Sequence, residues 1–345
     1  EAALGRADLP ETARADLRAE ADVLRAVADS YADRFERVDD LLAETMSRPD
    51  TLPPRVPGVA GNVAAIAAVC RFDFDATHRL LEWAAPYQEM MGPFAIADGH
   101  CFGGMAARQQ LDIPTALQNF RTAFRIGAEI GPQSHAARLA GALLGELLYE
   151  TGDLDEARNL IEESYLLGSD GGGVDCLAAR YVIGARIDAA QGDRGSAAER
   201  LAAGAKAADQ LQLPRLAARI TNERIRLGFE LPAEVAAGVL SPRTVGSDSG
   251  IATMTAELHE DSAIRLLAAS ESADDHTQAC RRAGELCAAI DGGRRPLAAL
   301  QAQVLYVETL TAVGRAAQAR EELVPVAAKC AELGLPRLLI DAGLA

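Results

Sequence analysis

Lysine, aromatic residues and long apolar runs are scarce in this sequence. Only two of the 34 basic residues are lysines, aromatic residues make up 4% of the 345 positions, and no run of 18 apolar residues occurs. The last absence predicts that the chain has no membrane span, and its first residues do not resemble a signal peptide. The chain begins with Glu1 rather than methionine, so we expect it to be part of a longer protein.

The charge balance is strongly acidic. The sequence has 34 Lys and Arg against 50 Asp and Glu, which gives a net charge of −16. Such a surface repels phosphates and anionic lipid head groups. We therefore expect neither nucleic acid nor a membrane to be a direct partner.

The cysteines do not form a recognisable framework. None of the six belongs to a C-x-x-C pair or lies beside a histidine at a metal-ligand spacing. We expect reduced thiols, a cytoplasmic location, and no bound metal or cofactor.

Motifs of nucleotide and kinase chemistry are missing. The sequence contains no G-x-x-x-x-G-K-[ST] loop and no H-R-D or D-F-G element. His259 and Glu260 begin like a zinc-protease motif, but Ala263 stands where the second histidine is needed. The sequence predicts no catalytic residues, and we expect this chain not to be an enzyme itself.

A repeat is the main positive signal. Amphipathic stretches with apolar residues at i, i+3, i+4 and i+7 alternate with short breaks. Comparable breaks fall at Asp33, Asp73, Asp112, Asp153, Asp193, Asp275 and Arg315. They follow one another at about 40 residues, with one double gap that contains a degenerate unit near Glu234. This period predicts eight helix-turn-helix units.

Small residues support the same register. Eight residues before the turn, the second to fifth units have Ala65, Gly104, Gly145 and Ala185, and eleven after it they have Ala84, Ala123, Ser164 and Gly204. Eight residues after the turn they have the larger Leu81, Phe120, Ile161 and Leu201. We expect the small residues to let paired helices approach closely and the large ones to fill the core.

This spacing, followed by Pro93, Pro132, Pro214 or Pro336, resembles the tetratricopeptide repeat. The longer period is similar to the helical-repeat region of MalT-type signal-transduction ATPases. The resemblance implies an all-α, right-handed superhelix, an α-solenoid whose first helices line the concave side. It also implies a regulatory region that tunes kinase, ATPase or DNA-binding modules elsewhere in a MalT-like regulator or serine/threonine kinase.

The expected organisation is one continuous solenoid. Residues 1–239 form units one to six, residues 240–250 an exposed loop, and residues 251–345 units seven and eight with the start of a further helix. A Gly-rich stretch at 168–173 predicts a second flexible joint, in addition to the loop at 240–250. Because a cut end of the stack would expose apolar surface, self-association is also expected.

The concave groove is the candidate site for a protein or small-molecule effector. Its predicted residues are Asn62, Asp98, Met105, Arg108, Gln109, Glu146, Tyr149, Glu150 and Arg186. Arginine, glutamate and tyrosine on one wall suit an extended peptide or a polar effector. The alternatives are that these residues are merely solvated, that the chain is a free-standing adaptor for a peptide, or that it is an enzyme with an unrecognised site.

Overall fold

All regular structure in the described part of the chain is helical. The structure, a computed structural model, describes residues 10–168, 172–241 and 250–344, and these ranges contain no β-strand. The predicted all-α solenoid is confirmed. Most of the predicted loop at 240–250 and half of the joint at 168–173 lie outside the described residues, so the division of the solenoid at those points stays a prediction.

The helices follow one another as the first and second members of eight units. Units one to four are α1 (Glu11–Tyr31) with α2 (Val38–Ser47), α3 (Arg55–Cys70) with α4 (Phe74–Met91), α5 (Pro93–Gln109) with α6 (Ile113–Ile130), and α7 (His135–Thr151) with α8 (Leu154–Tyr165). Unit five has α9 (Val174–Ala178), a π-helical turn (Ala179–Ile183) and α10 (Gly184–Ala190) as its first member, and α11 (Arg194–Gln210) as its second. Units six to eight are α12 (Pro214–Arg226) with α13 (Ala233–Leu240), α14 (Gly250–Ala268) with α15 (Ala273–Ala289), and α16 (Pro296–Ala312) with α17 (Ala316–Leu333). A 3₁₀ turn (Pro49–Thr51) precedes α3, and α18 (Arg337–Ile340) opens a ninth unit.

Four of the predicted aspartates form the turn inside a unit. Asp73, Asp112, Asp153 and Asp193 each cap the second helix by accepting a backbone N–H three residues later, at 2.9–3.3 Å. The residue before each aspartate has a left-handed backbone, with φ between 61° and 94°, which ends the first helix. The sequence period therefore records a repeated local geometry.

The predicted pairing of small and large residues is also observed. A Cβ atom added to Gly104 would lie 2.5 Å from the Phe120 ring, and one added to Gly145 would lie 3.0 Å from Ile161. Ala65 is completely buried at the equivalent position of the second unit. Close approach of the two helices of a unit thus depends on a glycine or alanine at these positions.

Two of the predicted aspartates do not cap the second helix of their unit: Asp33 lies in the turn between α1 and α2, and Asp275 was predicted about three residues too late. Asp33 has φ 60° but caps no helix, because α2 begins only at Val38 and the Asp33 carboxylate pairs with Arg215 instead. Asp275 lies inside the first turn of α15, whose cap is the Ser272 hydroxyl. In unit seven the Ser272 hydroxyl thus performs the task that the period assigned to the aspartate, whereas α2 of unit one has no side-chain cap.

Units that are five apart in sequence contact each other, so successive turns of the superhelix touch. Arg215 of unit six donates to Asp33 of unit one at 2.7–2.8 Å. Arg294, between units seven and eight, donates to the Arg71 carbonyl of unit two at 2.9 Å. In the same way α16 contacts α5, and α18 contacts α7. These contacts come from first helices or from turns at their ends, so the first helices line the inside.

We expect Asp153→Ala to lower the free energy of unfolding by about 1 kcal/mol, because a backbone N–H of α8 loses its acceptor. Asp209→Ala is the control, since that side chain is exposed at the end of α11 and forms no cap; its effect should stay within about 0.5 kcal/mol. Urea unfolding of both variants measures the difference. Equal losses would show that the repeated aspartate is not a cap.

Candidate functional site

Two cavities lie on the inside of the superhelix. The apolar axial cavity, of about 270 Å³, is enclosed by units one to six, and the polar axial cavity, of about 120 Å³, by unit three and the units that follow it. Of the predicted groove residues, the apolar cavity is lined by Asn62, Asp98 and Met105, and the polar one by Arg108, Glu146, Tyr149, Glu150 and Arg186. Gln109 borders a neighbouring recess together with Arg108. The structure therefore separates the predicted groove into two chemically different sites.

Arg108 on α5 is held by two carboxylates of α7. Its Nη2 donates to Glu146 at 3.1 Å and its Nε donates to Glu150 at 2.8 Å. Burial favours the neutral guanidine, but the two carboxylates outweigh it and raise the pKa of Arg108. Both glutamates are buried. These three groups are thus committed to each other and tie the third unit to the fourth.

The next predicted groups are also paired. Arg186 donates to both carboxylate oxygens of Glu223 at 2.8 and 2.6 Å. The Tyr149 hydroxyl donates to the Asp341 carboxylate at 3.0 Å and accepts from Arg337 at 2.6 Å. The sequence placed these side chains on the inside, but their partners lie in other units and follow no local pattern.

Helix α12 supplies cavity residues that the sequence analysis missed. Arg219 and Arg226 line the polar cavity, and the nearest carboxylate oxygen is 4.0 Å from each guanidinium. Within the described residues neither guanidinium makes a hydrogen bond. Burial, followed by the nearby positive charges of Arg265 and Arg186, lowers the pKa of Arg226. The cavity thus holds two cations whose hydrogen-bonding capacity is unused.

A sequence signal for these residues exists. Arg215, Arg219, Glu223 and Arg226 recur at helical spacing along one face of α12. That face would ordinarily be apolar if it lined a core. A charged stripe on a first helix therefore indicates a polar interior, which the spacing of small and large residues does not reveal.

One buried arginine connects the two turns of the superhelix. Arg215 donates to Asp33 of unit one at 2.7 Å and to Asp175 of unit five at 3.0 Å. Burial alone would raise the pKa of Asp175, but Arg215 outweighs burial and lowers it to about 2. This cluster of three residues forms part of the wall of the apolar axial cavity.

The apolar axial cavity contains one carboxyl group without a partner. Asn62 is satisfied, since its amide donates to the Ala95 carbonyl at 3.2 Å and accepts from Gln88 at 2.7 Å. Asp98 makes no hydrogen bond or ion pair with any residue in the described part of the chain. Burial raises the pKa of Asp98 to about 7.

No metal site accompanies these cavities in residues 10–168, 172–241 and 250–344. Those ranges contain no group of three or more His, Cys, Asp or Glu that could hold a metal ion. The six cysteines are free thiols. Across the same ranges, each helix is too short or too polar to cross a bilayer.

We expect Arg215→Ala to destabilise the protein by about 3–5 kcal/mol, because it leaves two carboxylates without their buried cation. Arg219→Ala, one turn further along the same face, removes a guanidinium without hydrogen bonds and should cost about 1 kcal/mol or less. Urea unfolding compares the two variants. Similar costs would mean that the contact between units one and six contributes little.

Asp98 predicts an unusual pH dependence. Its raised pKa means that the folded protein binds a proton that the unfolded chain releases, so this carboxyl stabilises less as pH rises from about 4 to about 7. Asp98→Asn cannot ionise, and we expect it to exceed the wild type in stability above pH 7 by about 1–3 kcal/mol. The advantage should shrink towards pH 4, whereas Asp209→Asn should show no such trend. Parallel stability curves for wild type and Asp98→Asn would contradict this account.

Comparison with known proteins gives one strong similarity. The chain is 71% identical over all 345 residues to the serine/threonine-protein kinase PknK of Mycobacterium tuberculosis, strains CDC 1551 / Oshkosh and H37Rv, and to the protein of that name from Mycobacterium bovis. It spans 31% of the length of these curated relatives. No protein-family model matches the chain, so its resemblance to tetratricopeptide and MalT-type repeats stays a prediction.

The matched region is not a kinase catalytic domain. A protein kinase holds the lysine that binds the ATP phosphates on a β-strand, whereas the described residues of this chain form only helices and connecting turns. The sequence also lacks the H-R-D and D-F-G elements of kinase catalysis. The chain is therefore similar to a part of a kinase that lies outside its catalytic domain.

Proposed function

We propose that this chain is a non-catalytic regulatory region of a cytoplasmic serine/threonine protein kinase. In this proposal the superhelix binds an effector on its inside. Binding of the effector then alters the activity of the kinase module or of other modules of the whole protein. Two facts support a place in such a kinase, outside its catalytic domain. The whole chain is 71% identical in sequence to part of a kinase, and its described residues form a helical fold without kinase motifs.

The observation that carries the proposal is the pair of unused guanidinium groups in the polar axial cavity. Arg219 and Arg226 have no hydrogen-bonded partner in the described residues, although they are largely shielded, with 28% and 21% of their side chains exposed. Arginine binds carboxylate and phosphate groups through two parallel hydrogen bonds. A small effector that carries such a group would complete the ion-pair network.

The position of these arginines supports transmission along the superhelix. Both lie on α12, which also carries Arg215, the residue that joins units one and six. The same helix carries Glu223, the partner of Arg186 in unit five. A ligand that binds more tightly to one position of α12 would stabilise that position, and with it the contacts of Arg215 and Glu223. Coupling between distant sites requires such a difference in ligand affinity between two conformations.

A peptide adaptor is the less favoured function. Contacts between units five apart narrow the interior to separate cavities, and the polar one has a volume of about 120 Å³. An extended peptide needs a continuous groove along several units. A small polar effector suits the enclosed polar cavity better.

Arg219→Gln combined with Arg226→Gln tests the proposal. Inorganic phosphate and citrate serve as probes, and we expect at least one of them to raise the melting temperature of the wild-type chain through preferential binding to the folded state. The double variant should bind the probe at least about tenfold more weakly, because charge-assisted hydrogen bonds are lost. In the full-length kinase, we expect the same two substitutions to alter the response of kinase activity to that probe.

The control variant loses two arginine charges as well, but at positions outside the cavity. Arg125 and Arg281 lie in exposed pairs with glutamates one helical turn away, with 64% and 59% of their side chains exposed. Glutamine at both positions should leave probe binding and kinase response unchanged. Equal behaviour of the two double variants, or a wild-type chain that binds neither probe, would contradict the proposed effector site.

A further inference from the structure

The apolar axial cavity is a second site, and nothing in the proposed function uses it. It is lined by α1, α3, α5, α7 and α9, the first helices of five successive units, with Arg215 of α12 closing one side. Its wall is mostly apolar and includes Val63, Met105 and Leu143. A cavity of about 270 Å³ exceeds the engineered cavities of about 150 Å³ that hold benzene. There is space for a body of about eight to ten non-hydrogen atoms.

Nearly every polar side chain of this cavity already has a partner. Asp33, Asp175 and Arg215 bind one another, and the Ser30 hydroxyl donates to the Val27 carbonyl at 2.7 Å. Asn62 is satisfied by its two hydrogen bonds. Asp98 remains as the carboxyl group without a hydrogen bond in the described part of the chain.

The charge of Asp98 reaches groups on three helices. Burial raises the pKa of Tyr31 on α1 and of Cys101 on α5, and the Asp98 carboxylate raises both further. The same carboxylate contributes to the raised pKa of Cys176 on α9, after burial and closer charges. Asp98 therefore lies among the first, third and fifth units, where an ion in the cavity would meet it.

Aromatic rings border the open side of the cavity. Tyr31 and Phe94 both line it and are 47% and 43% exposed, so they form its rim. Phe102 lies further along the wall. The faces of such rings attract organic cations, and the net charge of −16 favours the approach of cations from solution.

We propose that the apolar axial cavity binds a small organic ammonium ion with an apolar body. The ammonium group pairs with Asp98 near the aromatic rim, and the apolar body packs against Val63, Met105 and Leu143. This ligand class matches both features of the site, because a neutral hydrocarbon leaves the carboxyl without a partner and an anion is repelled by it. The proposal is independent of the polar axial cavity.

Cyclohexylmethylamine, cyclohexylmethanol and cyclohexanecarboxylate test this assignment, because they share one apolar body and differ in charge. Isothermal titration calorimetry of the 345-residue chain at about pH 8 keeps the amine protonated and Asp98 ionised. We expect the amine to bind at least about tenfold more tightly than the alcohol, and the carboxylate to bind most weakly. Equal affinities for amine and alcohol, or no binding of the amine, would overturn the proposal.

Two substitutions distinguish the contribution of the Asp98 charge from that of the space inside the cavity. Asp98→Asn should weaken the amine at least about tenfold and leave the alcohol within about twofold. Val63→Phe should weaken both ligands, because the new ring occupies the cavity. An amine preference that survives Asp98→Asn overturns the proposal. If Asp98→Asn does not fold, the preference of the wild type for the amine and the weaker binding of both ligands to Val63→Phe decide the matter.

The polar-cavity variant distinguishes the two sites. Arg219→Gln with Arg226→Gln removes the proposed anion site and leaves the lining of the apolar cavity intact. Amine affinity should be unchanged in that variant, whatever the outcome for phosphate or citrate. A matching loss of amine affinity would place the amine in the polar cavity and refute its assignment to Asp98.

Discussion

Buried and half-buried ion pairs between the first helices of neighbouring units, or the turns that begin them, are the interaction on which the rest of this structure depends. The pairs join residues 37 to 43 positions apart, which is the period of the repeat, and they are Arg108 with Glu146 and Glu150, Arg186 with Glu223, Arg215 with Asp175, Arg265 with Glu308, and Arg295 with Glu257. Small residues bring the two helices of a unit together, whereas these pairs fix how one unit is placed on the next. Since a buried charge is costly without its partner, they favour one geometry of the stack over its alternatives.

The same constraint explains why polar groups from distant units meet in the interior cavities. A superhelix that repeats its contacts every five units has a narrow axis, and the side chains that meet there come from units far apart in sequence. Where arginines and carboxylates match, they neutralise each other. Arg219 and Arg226 have a carboxylate only at 4.0 Å and line the polar axial cavity without a hydrogen bond in the described residues. Asp98 likewise lines the mostly apolar cavity without a hydrogen bond in that part of the chain.

The sequence predicted the local geometry well because that geometry is encoded within a few residues. A capping aspartate such as Asp153 acts on a backbone group three residues away and a small residue such as Gly104 acts within its own helix pair, so their spacing predicts eight helix pairs. Asp33 lies in the turn as predicted but caps no helix, because its carboxylate pairs with Arg215, a partner 182 residues away. Likewise, the sequence placed Arg108, Glu146 and Glu150 on the inside without predicting that they pair. It gave no role to the charged residues of α12, among them the Arg186 partner Glu223, because pairing across units has no local signature.

Contacts between units five apart also change how this solenoid is expected to unfold. In a repeat protein whose units touch only their neighbours, the terminal units fray first and the array loses its structure piecewise. Here the first unit is bound to the sixth through Arg215, and the second is bound to the linker after the seventh through Arg294. An early unit cannot detach without also removing a contact from a late one. The architecture therefore converts a linear array into a body whose early and late units gain or lose order together.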